Sequence, residues 1–256
     1  MIPVFSQGGI TYAVGDGLAV AASLPPGYVA HTITDPPYTK HVHDRMHSVT
    51  GGTGVDVECP FDPLTAGDEA KICAALGSVA RRWSVIFCAL EQLGAYTIDT
   101  PGDRWIKSGA YLKQRCMPQL TGDRPGSRVE GIALRHGRSV KLAWNNKGRS
   151  GLFLAMPEHR KATRHVSAKP IELMIQLIAA FTEPGELVFD PFAGTGSTAI
   201  AAELLGRKCL AVEIDPAYIP GFLARRAEAL AQGEKLIRRA HELATLPLFT
   251  QEPPND

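Results

Sequence analysis

Cysteine is sparse and scattered: Cys59, Cys73, Cys88, Cys116 and Cys209 form no CxxC pair in 256 residues. That spacing argues against a zinc cluster and against a disulfide framework, so no metal is expected and a cytoplasmic location fits. Long apolar runs are missing too. No stretch approaches the roughly 18 uninterrupted apolar residues of a membrane span. Residues 1–7 lack a basic segment followed by an apolar core, so the expectation is a protein neither secreted nor anchored. Net charge is nearly absent, with 27 Lys and Arg against 26 Asp and Glu. No global field steers such a chain to nucleic acid, and any such partner must be met by a local patch. What remains is 45% hydrophobic and 21% charged residues, the composition of a globular protein with a sizeable core, either one large α/β domain or a domain with a small insertion, and the expectation is a single domain over residues 1–256.

The run Tyr28-Val29-Ala30-His31-Thr32-Ile33 reads as a strand that stops at Thr34-Asp35-Pro36-Pro37-Tyr38. Two prolines donate no backbone hydrogen bonds and hold φ at about −65°, so the strand ends by presenting an acid and an aromatic ring on a stiff turn. A bare DPP tripeptide is more often an ordinary turn. Upstream, 10–14 reads as a strand ending at Gly15-Asp16-Gly17, and a helix from Leu18 to about Leu24 follows. Two near-parallel strands with a helical crossover form a βαβ unit whose ligands bind at the strands' carboxyl ends, where Asp16 and Asp35 both sit.

Downstream, the spacing predicts a helix over 68–82, a buried strand over 83–88, a short helix near 90–93 and a strand over 95–98. Two further strands, 104–107 and 129–134, flank a turn-rich segment. A helix opening at Lys169-Pro170 runs through Phe181. The strand 186–189 leads into Asp190-Pro191-Phe192-Ala193-Gly194-Thr195-Gly196-Ser197 and a helix over 198–205. The strand 208–212 ends in Glu213-Ile214-Asp215, Pro216 begins a last helix running to about Leu243, and 250–256 reads as a frayed tail.

Two segments stand out as DNA-contacting candidates, 39–67 and 136–164. The first has no sustained period and carries His41, His43, Arg45 and a glycine-rich stretch. His43 and His47 are spaced i, i+4, but without the glutamate and helix of HExxH they read as a polar loop over the site and not as metal ligands. The second belongs to a basic stretch containing Arg135, Arg138, Lys141, Lys147, Arg149, Arg160, Lys161 and Arg164 against the single acid Glu158. Charge runs are usually solvated faces, but this excess in a near-neutral chain has the footprint of a nucleic-acid surface.

Gly194-Thr195-Gly196 between strand and helix lets backbone approach a ligand, with free N–H groups at the helix start. Glu213 ends the next strand, where a carboxylate binds ribose hydroxyls; both features fit any adenosine cofactor. A phosphate-binding P-loop is excluded because its lysine is missing. Asp190, directly before the glycines, would repel a pyrophosphate and suits a cofactor bearing ammonium and sulfonium charges. S-adenosylmethionine is therefore favoured over a dinucleotide, although Asp190 could also simply cap the turn.

Taken together, Gly15-Asp16, Asp35-Pro36-Pro37-Tyr38, His165 with Lys169-Pro170, the Asp190–Ser197 stretch and Glu213-Ile214-Asp215 resemble, in that order, the permuted beta-class DNA amino-methyltransferases. The loop after Tyr38 is similar to that of phage and prophage members, and Val166 departs from the proline usual after the histidine. The resemblance implies a Rossmann-like methyltransferase fold with a seven-stranded, mostly parallel sheet and a reversed final hairpin. It implies methyl transfer from S-adenosylmethionine to N6 of adenine in double-stranded DNA, with N4 of cytosine or an inactive DNA-binding relative as alternatives. It assigns the base to Asp35, Pro36, Pro37 and Tyr38. It assigns the cofactor to Asp16, His165, Lys169, Pro170, Asp190, Phe192, Ala193, Gly194, Gly196, Ser197, Glu213, Ile214 and Asp215. DNA contacts would come from His41, His43, Arg45, Arg138, Lys147, Arg149, Arg160 and Lys161, and a homodimer is an expectation from relatives.

Overall fold

The structure is a computed structural model, and it describes residues 1–39, 63–65, 67–115, 126–158 and 168–246. The strands are β1 (Ile2–Gln7), β2 (Ile10–Val14), β3 (His31–Thr34), β4 (Trp83–Cys88), β5 (Asp103–Lys113), β6 (Val129–Gly137), β7 (Leu152–Ala155), β8 (Leu187–Asp190) and β9 (Lys208–Glu213). They form one mixed sheet in the order β1-β2-β9-β8-β3-β4-β6-β5-β7. Among the described residues six α-helices accompany it: α1 (Gly17–Ser23), α2 (Asp68–Val79), α3 (Ile171–Phe181), α4 (Ser197–Leu204), α5 (Ile219–Ala231) and α6 (Gly233–Thr245).

Alternation along the strands decides which layer each side chain joins. On β4, Trp83, Val85 and Phe87 face α3 and α4, while Ile86 and Cys88 face the opposite layer with α1 and α2. Period-two alternation with both faces apolar is what a sheet covered on both sides requires. Helix α3 is the most apolar element: Leu173, Leu177 and Ile178 are fully buried. Each such side chain is worth roughly 1.5–3 kcal/mol relative to exposure.

The sheet has nine strands among the described residues where seven were expected, because an edge strand is added on each side. β1 pairs antiparallel with β2 and β7 pairs parallel with β5. The first is almost wholly exposed, so it carries little of the buried-strand patterning that the sequence reading relied on. The reversed hairpin is present: β6 runs antiparallel to both β4 and β5. β2 and β3 belong to one sheet but are not neighbours, since β9 and β8 lie between them.

Two other expectations are corrected. Residues 95–98 do not form a strand; a 3₁₀ helix spans Leu90–Thr97, buries Tyr96, and is tied down where Arg135 donates to the Tyr96 carbonyl at 2.7 Å. The single last helix is instead a 3₁₀ turn (Pro216–Tyr218) followed by α5 and α6. The break falls at Gln232-Gly233, where a Cβ on Gly233 would meet Leu204 at 3.0 Å. The expected tail 250–256 lies outside the described residues. Among the described residues, no helix is long and apolar enough to cross a membrane.

Candidate active site

Four acids gather at the carboxyl ends of parallel strands: Asp16 beyond β2, Asp35 beyond β3, Asp190 closing β8 and Glu213 closing β9. Three of them serve their own turns. Asp16 caps α1 by accepting from the Leu18 and Ala19 amides at 2.9 and 3.1 Å. Asp190 accepts from the Thr34 hydroxyl at 2.7 Å and the Phe192 amide at 3.2 Å. Glu213 spans the glycine turn, taking the Gly194 amide on one oxygen at 2.7 Å and the Asp215 amide on the other at 3.0 Å. Asp215 in turn caps the following 3₁₀ turn through the Ala217 amide at 2.8 Å.

The glycine turn is held from several sides. Gly194 and Gly196 have φ of 49° and 75°, a region that glycine enters without steric cost. A Cβ on Gly196 would also lie 2.4 Å from the Phe222 ring. Tyr12, stacked on Phe222, donates its hydroxyl to the Gly194 carbonyl at 2.6 Å. Gly17 is needed for a different reason: a Cβ there would sit 2.0 Å from the Pro191 carbonyl, so the start of α1 lies backbone to backbone against the Asp190 turn. Ala193 is buried, Phe192 is half-buried and Ile214 is 66% exposed beside this rim.

Burial pushes the Asp190 carboxyl up to about 6, against the hydrogen bonds from Thr198 and Thr34. Burial also raises Glu213 above the usual carboxylate range. Buried carboxylates short of cationic partners, around a turn with open backbone, form a donor set that fits a cationic adenosine cofactor and not a pyrophosphate.

The Asp35 end of the rim is built differently. The Lys169 ammonium forms an ion pair with Asp35 Oδ2 and lies 3.2 Å from Glu130 Oε2, while Lys113 pairs with Glu130 Oε1 at 2.7 Å. The Tyr38 hydroxyl lies 3.1 Å from Asp35 Oδ1 and 3.2 Å from Glu130 Oε2, so its one proton is shared between two carboxylates. Its oxygen accepts from Lys169 at 3.3 Å. Burial opposes charge on Lys169, but Asp35 and Glu130 hold its pKa above the ordinary lysine value. Glu130, also penalised by burial, is brought down to about 2 by Lys169 and Lys113. Burial pushes Asp35 up, against the pull of Lys169.

Thus Lys169, expected at the cofactor's methionine end, has its ammonium in the Asp35 cluster and is only 6% exposed. Pro170 is buried as the residue preceding α3, and Pro36 is buried and Pro37 half-buried beneath Tyr38. Ser197 donates to the Lys169 carbonyl at 2.8 Å, linking the glycine turn to the Lys169-Pro170 segment. Arg225 completes that link, a residue the sequence reading missed. Its guanidinium reaches Thr195 at 3.1 Å, Ser197 at 2.5 Å, the Lys169 carbonyl at 2.7 Å and Glu158 at 2.9 Å. The signal was its position on the buried face of α5 with Phe222 and Ala229, where an arginine is out of pattern. Glu130 was missed likewise, an acid in the buried strand β6.

The basic stretch proves heterogeneous. Arg135 is fully buried, bound to Asp103 by two hydrogen bonds of 2.8 and 2.6 Å, and is no surface cation. Residues 136–137 end β6 and 152–155 form β7, so 136–164 is not one loop. Arg149 caps the end of α6 by donating to the Ala244 carbonyl at 2.6 Å. Arg138 is exposed and paired with Asp99 at 2.8 Å, and Lys147 is exposed. His41, His43, Arg45, Arg160, Lys161 and His165 lie outside the described residues, as does nearly all of the 39–67 segment.

Comparison with known proteins places these features. The DNA methylase family of N6/N4 methyltransferases matches residues 101–224. YubD of Escherichia coli (strain K12), whose own methylase assignment is provisional, is 27% identical over 210 residues, covering 80% of this chain and 84% of YubD. The type II methyltransferase M2.DpnII of Streptococcus pneumoniae is 29% identical over 96 residues, 38% of this chain and 33% of that protein. Among solved structures, the M1.HpyAVI–SAM complex superposes with a TM-score of 0.63 at 22% identity, covering 85% of this chain and 98% of that one. The PvuII cytosine-N4-specific DNA methyltransferase gives 0.67 at 13% identity, with 93% and 95% covered. Motif order, the family match over residues 101–224 and the fold agree: the chain has the fold of the S-adenosylmethionine-dependent DNA methyltransferases and is similar to their N6/N4 amino-methylating family.

Proposed function

We propose that this protein methylates the N6 amino group of adenine at a specific site in double-stranded DNA, with Asp35-Pro36-Pro37-Tyr38 as the cradle of a flipped base. The observation that carries this reading is the Asp35 carboxylate, set at the end of β3 on a stiff double-proline turn in the same rim as Asp190 and Glu213. Bound S-adenosylmethionine supplies an electrophilic methyl group. The chain's part is to orient the accepting nitrogen and stabilise the charge that develops on it.

An adenine amino lone pair is delocalised into the ring, and its proton is far too weakly acidic for a carboxylate of reference pKa about 3.9 to remove beforehand. Asp35 and the Pro36 carbonyl instead accept hydrogen bonds from the amino protons and draw the nitrogen towards tetrahedral geometry. Their negative potential strengthens as positive charge appears in the in-line transfer. The proton leaves during or after transfer. Flipping costs a few kcal/mol, and stacking on Tyr38 at about 1–3 kcal/mol per base is of the right size to offset it.

In the same reading Asp190 meets the methionine end of the cofactor, Glu213 the ribose and Asp16 the adenine, through lone pairs their turn hydrogen bonds leave free. Ile214 packs against the adenine from its exposed position. Lys147 and the outer basic residues meet DNA phosphates. The second reading, N4 of cytosine, is favoured by the fold likeness to the PvuII cytosine-N4-specific enzyme. Modification-sensitive sequencing of DNA from cells expressing the protein reports base and site together: N6-methyladenine in one sequence context is expected, and N4-methylcytosine would support the second reading.

A further inference from the structure

The target amino group has to donate to Asp35, whose two oxygens already hold partners, Tyr38 on Oδ1 and the Lys169 ammonium on Oδ2. The Lys169 interaction is the more costly of the two to keep. An ammonium on Asp35 cancels the negative potential that a methylated nitrogen needs, at the moment that nitrogen becomes positive. Lys169 has another acceptor already in reach, Glu130 Oε2 at 3.2 Å, on β6, with β4 between it and the β3 strand that leads to Asp35. The Phe87 ring lies 5.0 Å from the ammonium.

We propose that Glu130 is a positioning residue that takes Lys169 from Asp35 when the base enters, leaving Asp35 Oδ2 free to accept the target amino group. The assignment rests on the proposed role of Asp35 as amino acceptor. The charges suit an exchange: two carboxylates, Asp35 and Glu130, share two ammonium groups, Lys169 and Lys113, so the lysine changes partner without any charge leaving the cluster. Lys113 fixes Glu130 through Oε1, which keeps the carboxylate ionised and its other oxygen turned to the pocket. Tyr38, whose hydroxyl touches both acids, can turn its proton wholly to Glu130 and relieve Asp35 Oδ1 as well. No covalent step is involved; one ion pair opens and another shortens.

The test compares the parent, Glu130→Gln, Lys169→Met and the double variant in single-turnover methylation of a DNA duplex, with calorimetric titration of S-adenosylmethionine. Glutamine keeps the shape of Glu130 but cannot hold the ammonium as a carboxylate does. Glu130→Gln is expected to slow methyl transfer at least about tenfold while cofactor affinity stays within about twofold. Adding Lys169→Met removes the competitor for Asp35 and is expected to recover at least about threefold of the lost rate. A double variant no faster than Glu130→Gln would overturn the proposal, since a purely structural Glu130 gains nothing from a second lesion. A crystal structure of the parent with DNA and an unreactive cofactor analogue decides independently of how the variants fold. Lys169 on Glu130 with the base amino group on Asp35 is expected, and Lys169 still on Asp35 beneath a flipped base overturns the exchange. An Asp35→Ala control separates the failures. If it methylates at the parental rate, the acceptor role of Asp35 is wrong; if it is inactive and the double variant shows no recovery, only the exchange is lost.

Discussion

The two sides of the cleft are held by different kinds of bond. On the cofactor side, Asp16, Asp190 and Asp215 each accept from backbone amides of the turn that follows them, and Glu213 from the Asp215 amide after it and the Gly194 amide nineteen residues before it; Asp190 adds one side-chain partner, Thr34. On the base side, Asp35, Glu130, Lys113 and Lys169 satisfy one another across separations of up to 134 residues. Backbone amides cannot relocate without refolding the turn, so the cofactor side is preformed. Ion pairs exchange by rotating a side chain, so the base side can rearrange when a nucleotide enters. A rigid site for the cofactor and an adjustable one for the base suit a reaction in which one substrate must be extracted from a helix.

The contrast is broken most severely at Asp35. Asp35→Ala is expected to lower methyl transfer by at least about a thousandfold with cofactor affinity unchanged within a few-fold, read by radiolabelled methyl transfer and calorimetry. Cofactor binding lost along with activity would mean that the two sides are not separable. Glu213→Ala attacks the other side and should weaken S-adenosylmethionine binding by roughly ten- to a hundredfold, because the proposed ribose contact and the turn geometry would be lost together. Its binding to DNA should be unaffected in a mobility-shift assay.

A smaller effect follows from pH. Asp190 has its pKa raised to about 6, so its carboxylate weighs against the fold above that pH, and this cost fades as pH falls, the reverse of a salt-bridged acid. A cationic cofactor binds only the ionised form, so affinity should drop about tenfold for each unit below pH 6, and Asp190→Asn should flatten the dependence. Smallest of all is Lys147→Ala, on the exposed basic stretch. DNA affinity should fall a few-fold, uniformly across sequences, and the slope of log affinity against log salt should shrink by about one.

The same contrast explains what could be read from the chain without its structure. The cofactor side is local: a strand, an acid, a glycine turn and a helix lie within a dozen residues, so Asp190–Ser197 and Glu213 announce themselves. The order of these motifs also gave the methyltransferase fold and its reversed hairpin. The base side was legible only as far as Asp35-Pro36-Pro37-Tyr38. Glu130 and Lys113 join it because β5 and β6 bring them across the sheet, and neither stands in a motif. Lys169 was found by its motif, but its ammonium's place between Asp35 and Glu130 was not, because sequence shows the start of α3 and not the direction of the side chain. Arg135 counted as a surface cation in a basic run, whereas its pairing with Asp103, 32 residues away, puts it in the core. Edge strands β1 and β7 escaped notice since an edge is paired on one side only and needs no continuous apolar pattern.

The central claim, that the Asp35 cradle presents the adenine amino group to the methyl donor, is tested most directly by digesting DNA treated with the purified protein and S-adenosylmethionine and weighing the nucleosides by mass spectrometry. N6-methyladenine from the parent and none from Asp35→Ala is the predicted result. N4-methylcytosine, or a methylated base formed undiminished by Asp35→Ala, would contradict it.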